Sequence, residues 1–298
     1  MFEWFADGLC RLCSGDFPEV VFVDAVLWDR PDERRHEIAS IVDGRFPYKH
    51  VAPKPTVWCG PGRKTKTDYF AASNARNTGI CYASQPYIFY MDDLSVMSDD
   101  WIKEASHASS NGYIVAGSYK KVLDMVVENG QLKSFTVHRN EHGKDIGLDS
   151  RWSFGSSNGI IRMDGGMLYG CSCGFPIEDL LQVNGWDEIH DSSGAEDYSL
   201  GISLQKHGKQ LWFNRNLHTT EDDLAHGQGP VLKRIIKPGN PDASHVILNR
   251  LRADPKPRTY GNFFELRTMR DGILNGGSFS PATMPTHHWF DGQEISSM

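Results

Sequence analysis

The chain has 298 residues, 39% of them hydrophobic, enough apolar side chain for a sizeable core in one large domain or two smaller ones. A formal charge of −7 and a pI near 5.9 exclude a generally basic nucleic-acid surface, leaving a local cluster at Arg63, Lys64 and Lys66 that could face phosphates. No run of about 18 apolar residues is present, which excludes a membrane-spanning helix.

The opening MFEWFADGLCRLC lacks the basic start and long apolar centre of a secretory signal, so the expected location is the cytoplasm, with peripheral membrane attachment left open. The six cysteines are too scattered for a disulfide scaffold and read as reduced thiols. A zinc site from Cys10, Cys13, Cys171 and Cys173 is the weaker alternative, because Cys13 adjoins the apolar stripe of Phe5, Leu9 and Leu12.

That stripe predicts a short helix, and the continuous run from Glu19 to Asp24 predicts a buried strand. A weaker strand at Tyr48–Val51 precedes the breaker Pro53-Lys54-Pro55. Residues 68–84 read as a helix with Ala71, Ala75, Gly79 and Ala83 on a narrow face. Tyr87–Met91 is a further strand, ending abruptly in Asp92-Asp93, and Ser98 is placed to cap a helix carrying Trp101, Ala105 and Ala108. Asn129-Gly130 between two apolar runs predicts a hairpin over Val122–Val137, and residues 138–158 read as a loop. Pro176 opens a short helix leading to Val183–Glu188, a helix follows over Ala195–His207, and Gln210–Phe213 is the next strand. Thr219–Gly229 is expected to be polar and mobile, with tail helices after Asn240-Pro241 and over 262–274.

This alternation predicts an α/β fold: a mixed, mostly parallel Rossmann-like sheet flanked by helices, with a C-terminal helical or irregular extension. Ligands of such sheets bind at the carboxyl ends of strands, where Asp24 and Asp92 both fall. Two carboxylates at the end of an apolar strand are costly unless they bind a cation, accept hydrogen bonds or shift their pKa. Asp92-Asp93 therefore reads either as a site for a hard divalent ion bridging a diphosphate or as a plain Asx-turn. Glu196-Asp197, at a helix N-terminus, reads either as capping acids or as a general base; the helix dipole predicts a low pKa for the aspartate.

In order, Val23-Asp24, Ala75–Gly79, Tyr87–Asp93, Asn184–Glu188 and Glu196–Gly201 resemble the GT-A glycosyltransferases of family 2 and related families, over about residues 15–220. The resemblance implies a nucleotide-sugar transferase of the hexosyltransferase kind, with residues 1–224 as its GT-A domain and 225–298 as an extension packed on the acceptor side or as a lid. It implies that Asp24 meets the nucleobase or ribose, that Arg76 lies near the nucleotide, and that Asp92 and Asp93 begin the metal turn. Trp186, Asp187 and Glu188 would line the donor sugar, Asp197 would be the catalytic base of an inverting displacement with Glu196 beside it, and His218 would be a third metal ligand. Core packing for Trp186, a salt bridge for Arg76 and a surface position for His218 are the plainer readings. Mn2+ or Mg2+ would be the cofactor and a UDP-sugar the expected co-substrate.

Two departures stand out. Leu94 occupies the position where the family's metal turn carries a second acid, and the family's first strand, with its nucleotide contact, is missing or replaced. The expected acceptor is a polysaccharide or glycolipid. A phage-type enzyme acting on a hydroxymethylated DNA base, and an inactive module that binds a nucleotide sugar or glycan, are the alternatives. In the tail, Pro281–Gly292 gathers His287, His288, Trp289 and Phe290, which suits packing against the main domain more than stacking on a sugar. Oligomeric state is not legible.

Overall fold

The computed structural model describes residues 2–56, 60–61, 71–154, 159–192, 194–223, 249, 251–254 and 265–279. The basic cluster at 63–66, Cys59, Asn240-Pro241 with the residues directly after it (242–248), and the 281–292 aromatic segment lie outside them.

Helix α1 (Phe2–Leu12) buries Ala6 and Leu9 and leads to β1 (Val20–Val23). A 3-10 turn, Ala25–Trp28, then gives way to α2 (Pro31–Val42), an element not foreseen although Pro31 at its first position and Asp32 and Glu33 in its first turn are start signals. Strand β2 (Tyr48–Val51) returns parallel to β1, pairing Val20 with Tyr48 and Val23 with Val51. Helix α3 (Ala72–Tyr82) buries polar residues, Ser73, Asn74, Asn77 and Thr78, along with Ile80 and Cys81.

Strand β3 (Tyr87–Met91) reaches the Asp92-Asp93 turn and continues at once into β4 (Ser95–Met97). Ser98 does not cap the next helix, α4 (Trp101–Ser110); its hydroxyl donates to the Asn216 carbonyl instead. The predicted hairpin is present as β5 (Ile114–Glu128) and β6 (Gln131–Val137), turned by Asn129 and Gly130, both at positive φ. There a Cβ on Gly130 would lie 2.0 Å from the Gly8 nitrogen, so only glycine lets the turn rest on α1. Then come β7 (Ile160–Met163), β8 (Ser172–Pro176), α5 (Ile177–Gln182), α6 (Glu196–Lys206), β9 (Leu211–Asp222) and, in the tail, α7 (Leu266–Leu274).

The large sheet runs β3-β8-β5-β9-β4, with β6 on β5 and β7 on β9. The expected mixed α/β sheet is there; among the described residues β1–β2 and β5–β9 pair parallel and the other ladders are antiparallel. β1 and β2 form a two-stranded sheet of their own among the described residues. Alternation along β5 divides the core between two faces, as a strand period of two requires. Ile114 and Ala116 join Ile80, Phe175, Trp186, Leu200, Phe213 and Leu266 on one side, and Val115 joins Leu9, Phe22, Ile38 and Trp101 on the other. Strand β9 is the main correction. It does not stop at Phe213 but runs on through the supposedly mobile stretch to Asp222, buried between β5 and β4. A register shift after Gly117 makes this extension; a Cβ on Gly117 would stand 1.9 Å from the Leu217 carbonyl oxygen.

Candidate active site

Asp92 follows β3, and its amide donates to the Cys171 carbonyl at 3.2 Å. The Asp92 side chain is one-third exposed, Asp93 is exposed, and Leu94 is fully buried. The third position of the turn therefore faces the core, which gives the leucine a packing reason and removes that position as a cation ligand. Buried beside the turn is a carboxyl that the sequence reading missed, Glu221, paired through β9 with Ser95 of β4. Burial, then the nearby Asp92 charge, pushes its pKa up to about 8 against the pull of Lys121, 3.8 Å away. Its only sequence signal was the β-branched pair Thr219-Thr220, which suits a strand better than a mobile loop.

Helix α3 supplies Arg76, which ties the site together. Its guanidinium donates to Glu196 at 2.7 Å, lies 3.7 Å from Asp92 and sits 4.5 Å above the Trp186 ring. Burial works against the charge on Arg76, but Glu196 and Asp92, then Asp197, hold it protonated. Close fit explains Gly170: a Cβ there would come within 2.7 Å of the guanidinium. The same Gly170 donates its amide to Asp197 at 3.2 Å, and the Tyr198 amide donates to the other carboxylate oxygen at 2.8 Å.

Asp197 departs from the expectation of a low pKa. Burial and the adjacent Glu196 carboxylate outweigh Arg76 and both amide bonds, raising it to about 6. The helix dipole loses because the two acids share one half-buried corner. Ala195 enters that corner at φ 72°, a left-handed conformation rare for a residue with a Cβ, directly after Gly194 at φ 79°.

Of the three residues expected to line the donor, Trp186 and Glu188 are buried and Asp187 is half-buried. Trp186 is fully buried, its ring 5.3 Å from Tyr90 and 6.0 Å from Phe175, so it is a core aromatic beneath Arg76. Glu188 is also buried, ion-paired with Lys54 and accepting from Asn77 at 2.7 Å. Asn77 in turn brackets Trp186, donating to its carbonyl and accepting from its amide, both at 2.8 Å. Asn184, at φ 60°, accepts from the Leu266 amide at the start of α7. The Asn184–Glu188 segment is thus a clamp on α3 and α7, and Asp187 is its half-buried acidic member. Asp191, unforeseen, accepts from the Ser73 and Asn74 amides and caps α3 from a distance, where Ala71 offers no side-chain cap.

Asp24 ends β1 and is 5% exposed. It accepts from Arg34 at 2.8 Å, His50 at 3.1 Å and the Val26 amide at 2.9 Å. Burial opposes its charge, yet these bonds hold its pKa below the usual carboxylate value. Arg34 and His50 both meet Oδ2, and the Val26 amide meets Oδ1. His218 contacts Ser118 at 2.8 Å and packs its ring 5.4 Å from Trp152; burial lowers its pKa to about 4, so it is neutral. It does not join Asp92 and Asp93: among the described residues no three His, Cys, Asp or Glu side chains form a group able to hold a metal ion, which also removes the Cys10, Cys13, Cys171 and Cys173 zinc alternative. All five described cysteines are free thiols, and no helix among the described residues is long and apolar enough to cross a membrane.

No protein family matches the chain, and no curated protein matches it in sequence. Among solved structures it is distantly similar to GalNAc-T7 with UDP, GalNAc and Mn2+, at 13% identity and TM-score 0.44, covering 88% of this chain and 53% of that one. A second distant likeness, at 13% identity and TM-score 0.41, is to the mannosyltransferase PcManGT from Pyrobaculum calidifontis in complex with GDP-Man and Mn2+, covering 88% of this chain and 69% of that one. The chain spans about half the length of the first.

Proposed function

We propose that the protein is a GT-A glycosyltransferase that moves a sugar from a nucleoside-diphosphate donor to a hydroxyl acceptor. The observation that carries this reading is the corner where Arg76 links Asp92 of the strand-end turn to Glu196, with Asp197 held beside them at a pKa of about 6. A base for a hydroxyl works best when its pKa lies near the working pH, and Asp197 is raised toward it.

In the reaction the acceptor oxygen attacks the sugar's anomeric carbon from the face opposite the diphosphate. The new carbon–oxygen bond forms as the bond to phosphate breaks, the electron pair leaves on the diphosphate, and the hydroxyl proton passes to Asp197. Glu196 keeps that proton affinity high, and Arg76 holds Glu196 in place while remaining charged.

Asp92 and Asp93 fit a hard divalent cation by their oxygen chemistry and exposure at the strand end. When bound, Mn2+ or Mg2+ would neutralise charge on the departing diphosphate. With Leu94 turned inward and no third ligand grouped with them among the described residues, the two acids would hold the ion jointly with phosphate oxygens. Metal affinity is therefore tied to nucleotide.

The test is a thermal-shift panel of UDP, GDP, TDP and CDP with and without Mn2+, followed by donor turnover. One nucleotide with Mn2+ should stabilise the chain by about 2.7 kcal/mol at a concentration of about 100 times its Kd. No shift with any nucleotide would sink the proposal; a shift without hydrolysis or transfer would leave a binding module in its place.

A further inference from the structure

Next to Asp197 begins a row of aromatic rings that the donor chemistry does not use. Tyr198 follows Asp197 in the chain, and its ring centre lies 5.5 Å from that of Tyr169, which in turn lies 5.9 Å from Tyr119. All three are partly exposed. The row starts at the base itself, because Gly170, the residue after Tyr169, donates its amide to Asp197.

A buried post fixes the middle of the row. Arg151 is wholly buried with its guanidinium 4.1 Å from the Tyr169 ring and 4.9 Å from that of Phe213. Asp149 neutralises it at 2.7 Å, and the Gly117 and Met167 carbonyls take further hydrogen bonds at 2.7 and 3.1 Å. Asp149 also accepts from the Tyr119 amide, and the Tyr169 hydroxyl meets Ser150 at 3.0 Å. Rings held this way keep few rotamers, so a ligand stacking on them loses little side-chain entropy.

We infer that Tyr198, Tyr169 and Tyr119 form the acceptor platform and that the acceptor is a neutral carbohydrate chain. This rests on the proposed transferase reading. A sugar ring offers an apolar face of C–H groups for stacking and a rim of hydroxyls for polar partners, the same division that tyrosine presents. The rings stand at 60° and 68° to one another, a stepped wall of edges and faces along which a sugar chain can lie with its terminal hydroxyl toward Asp197. Duplex DNA fits poorly: Asp197, Glu196 and Asp92 cluster at the inner end of the row, and the net charge is −7.

The test is saturation-transfer NMR on the full chain with cellotetraose, chitotetraose and maltotetraose, and with a DNA duplex as competitor. At least one tetrasaccharide should receive saturation in the wild type. Binding should fall roughly tenfold in Tyr169→Ala and in Tyr119→Ala, and persist in Tyr169→Phe, which keeps the ring. If Tyr169→Ala unfolds because Arg151 loses its cover, Tyr119→Ala decides alone. No tetrasaccharide signal, wild-type binding in both alanine variants, or displacement of the sugar by DNA would each overturn the platform. Nucleotide thermal shifts on the same wild-type sample separate the two claims. A nucleotide shift without sugar binding sinks the platform alone, and sugar binding without a nucleotide shift sinks the transferase reading alone.

Discussion

Asp24 and Asp197 are both carboxylates withdrawn from water at the end of a secondary-structure element, and they titrate in opposite directions. Asp24 faces Arg34, His50 and a backbone amide, and its pKa is held down although burial opposes the charge. Asp197 receives two amide bonds, but its cationic neighbour Arg76 is already bonded to Glu196, so burial and like charge prevail. Neither burial nor hydrogen-bond number separates a structural acid from one poised for proton transfer. What separates them is whether the nearest cation belongs to the carboxylate or to its rival.

The largest expected effect follows from removing the poised member. Asp197→Asn should lower sugar transfer by about 10²–10⁴-fold, while nucleotide-dependent thermal shifts stay near wild type; wild-type turnover would end the assignment. The structural member should fail differently. Asp24→Ala leaves Arg34 and His50 without their carboxylate and should destabilise the fold by about 3–5 kcal/mol, read by denaturant melts. That contribution exists above the unfolded carboxylate range and fades as pH falls through the depressed native value. For Asp197 the sign reverses: the native chain keeps a proton up to about pH 6 that the unfolded chain releases near 3.8, so its ionisation costs stability across that window.

A subtler change sharpens the contrast. Transfer by the wild type should rise with pH through an apparent pKa near 6 set by Asp197. Glu196→Gln removes the rival charge and releases Arg76, so the acid limb of the pH–rate profile should move to lower pH. A limb that stays put would show that burial alone sets the value. The smallest effect concerns the backbone: Ala195→Gly should relieve the left-handed strain and stabilise by about 1–2 kcal/mol in a thermal melt. A loss of stability would mean that the alanine methyl packs usefully there.

Much of the fold was legible where pattern and turn chemistry agree. The strand before Asp92, the Asn129-Gly130 hairpin and the helix from Glu196 all stand where apolar runs, turn residues and first-turn acids put them. Strand β9 was not, since its second half is polar in sequence and buried only because β4 and β5 close on it. Among candidate site residues, Arg76, Asp92, Glu196 and Asp197 come together. Trp186 meets them only from the core, under Arg76, and Glu188 is buried against Lys54, because their motif clamps the helix that carries Arg76. Motif spacing fixes neighbours in sequence but not which way a side chain turns, and Asn77 and Lys54, which decide that, lie more than a hundred residues upstream.

The isolation of β1–β2 has a mechanical meaning. Among the described residues no backbone ladder crosses from this pair to the large sheet. The packing around the pair is side-chain contact, with Phe2, Phe5 and Tyr48 around Phe22, and Phe17 and Phe46 nearby. Hydrogen-bonded ladders set register to the residue, whereas stacked rings tolerate small slides and tilts at little cost in dispersion. The pair is held instead by side chains that reach the end of the helix carrying Arg76: Lys49 donates to the Tyr82 carbonyl at 2.7 Å, and the Glu19 carboxylate accepts from the Ser84 amide at 2.8 Å.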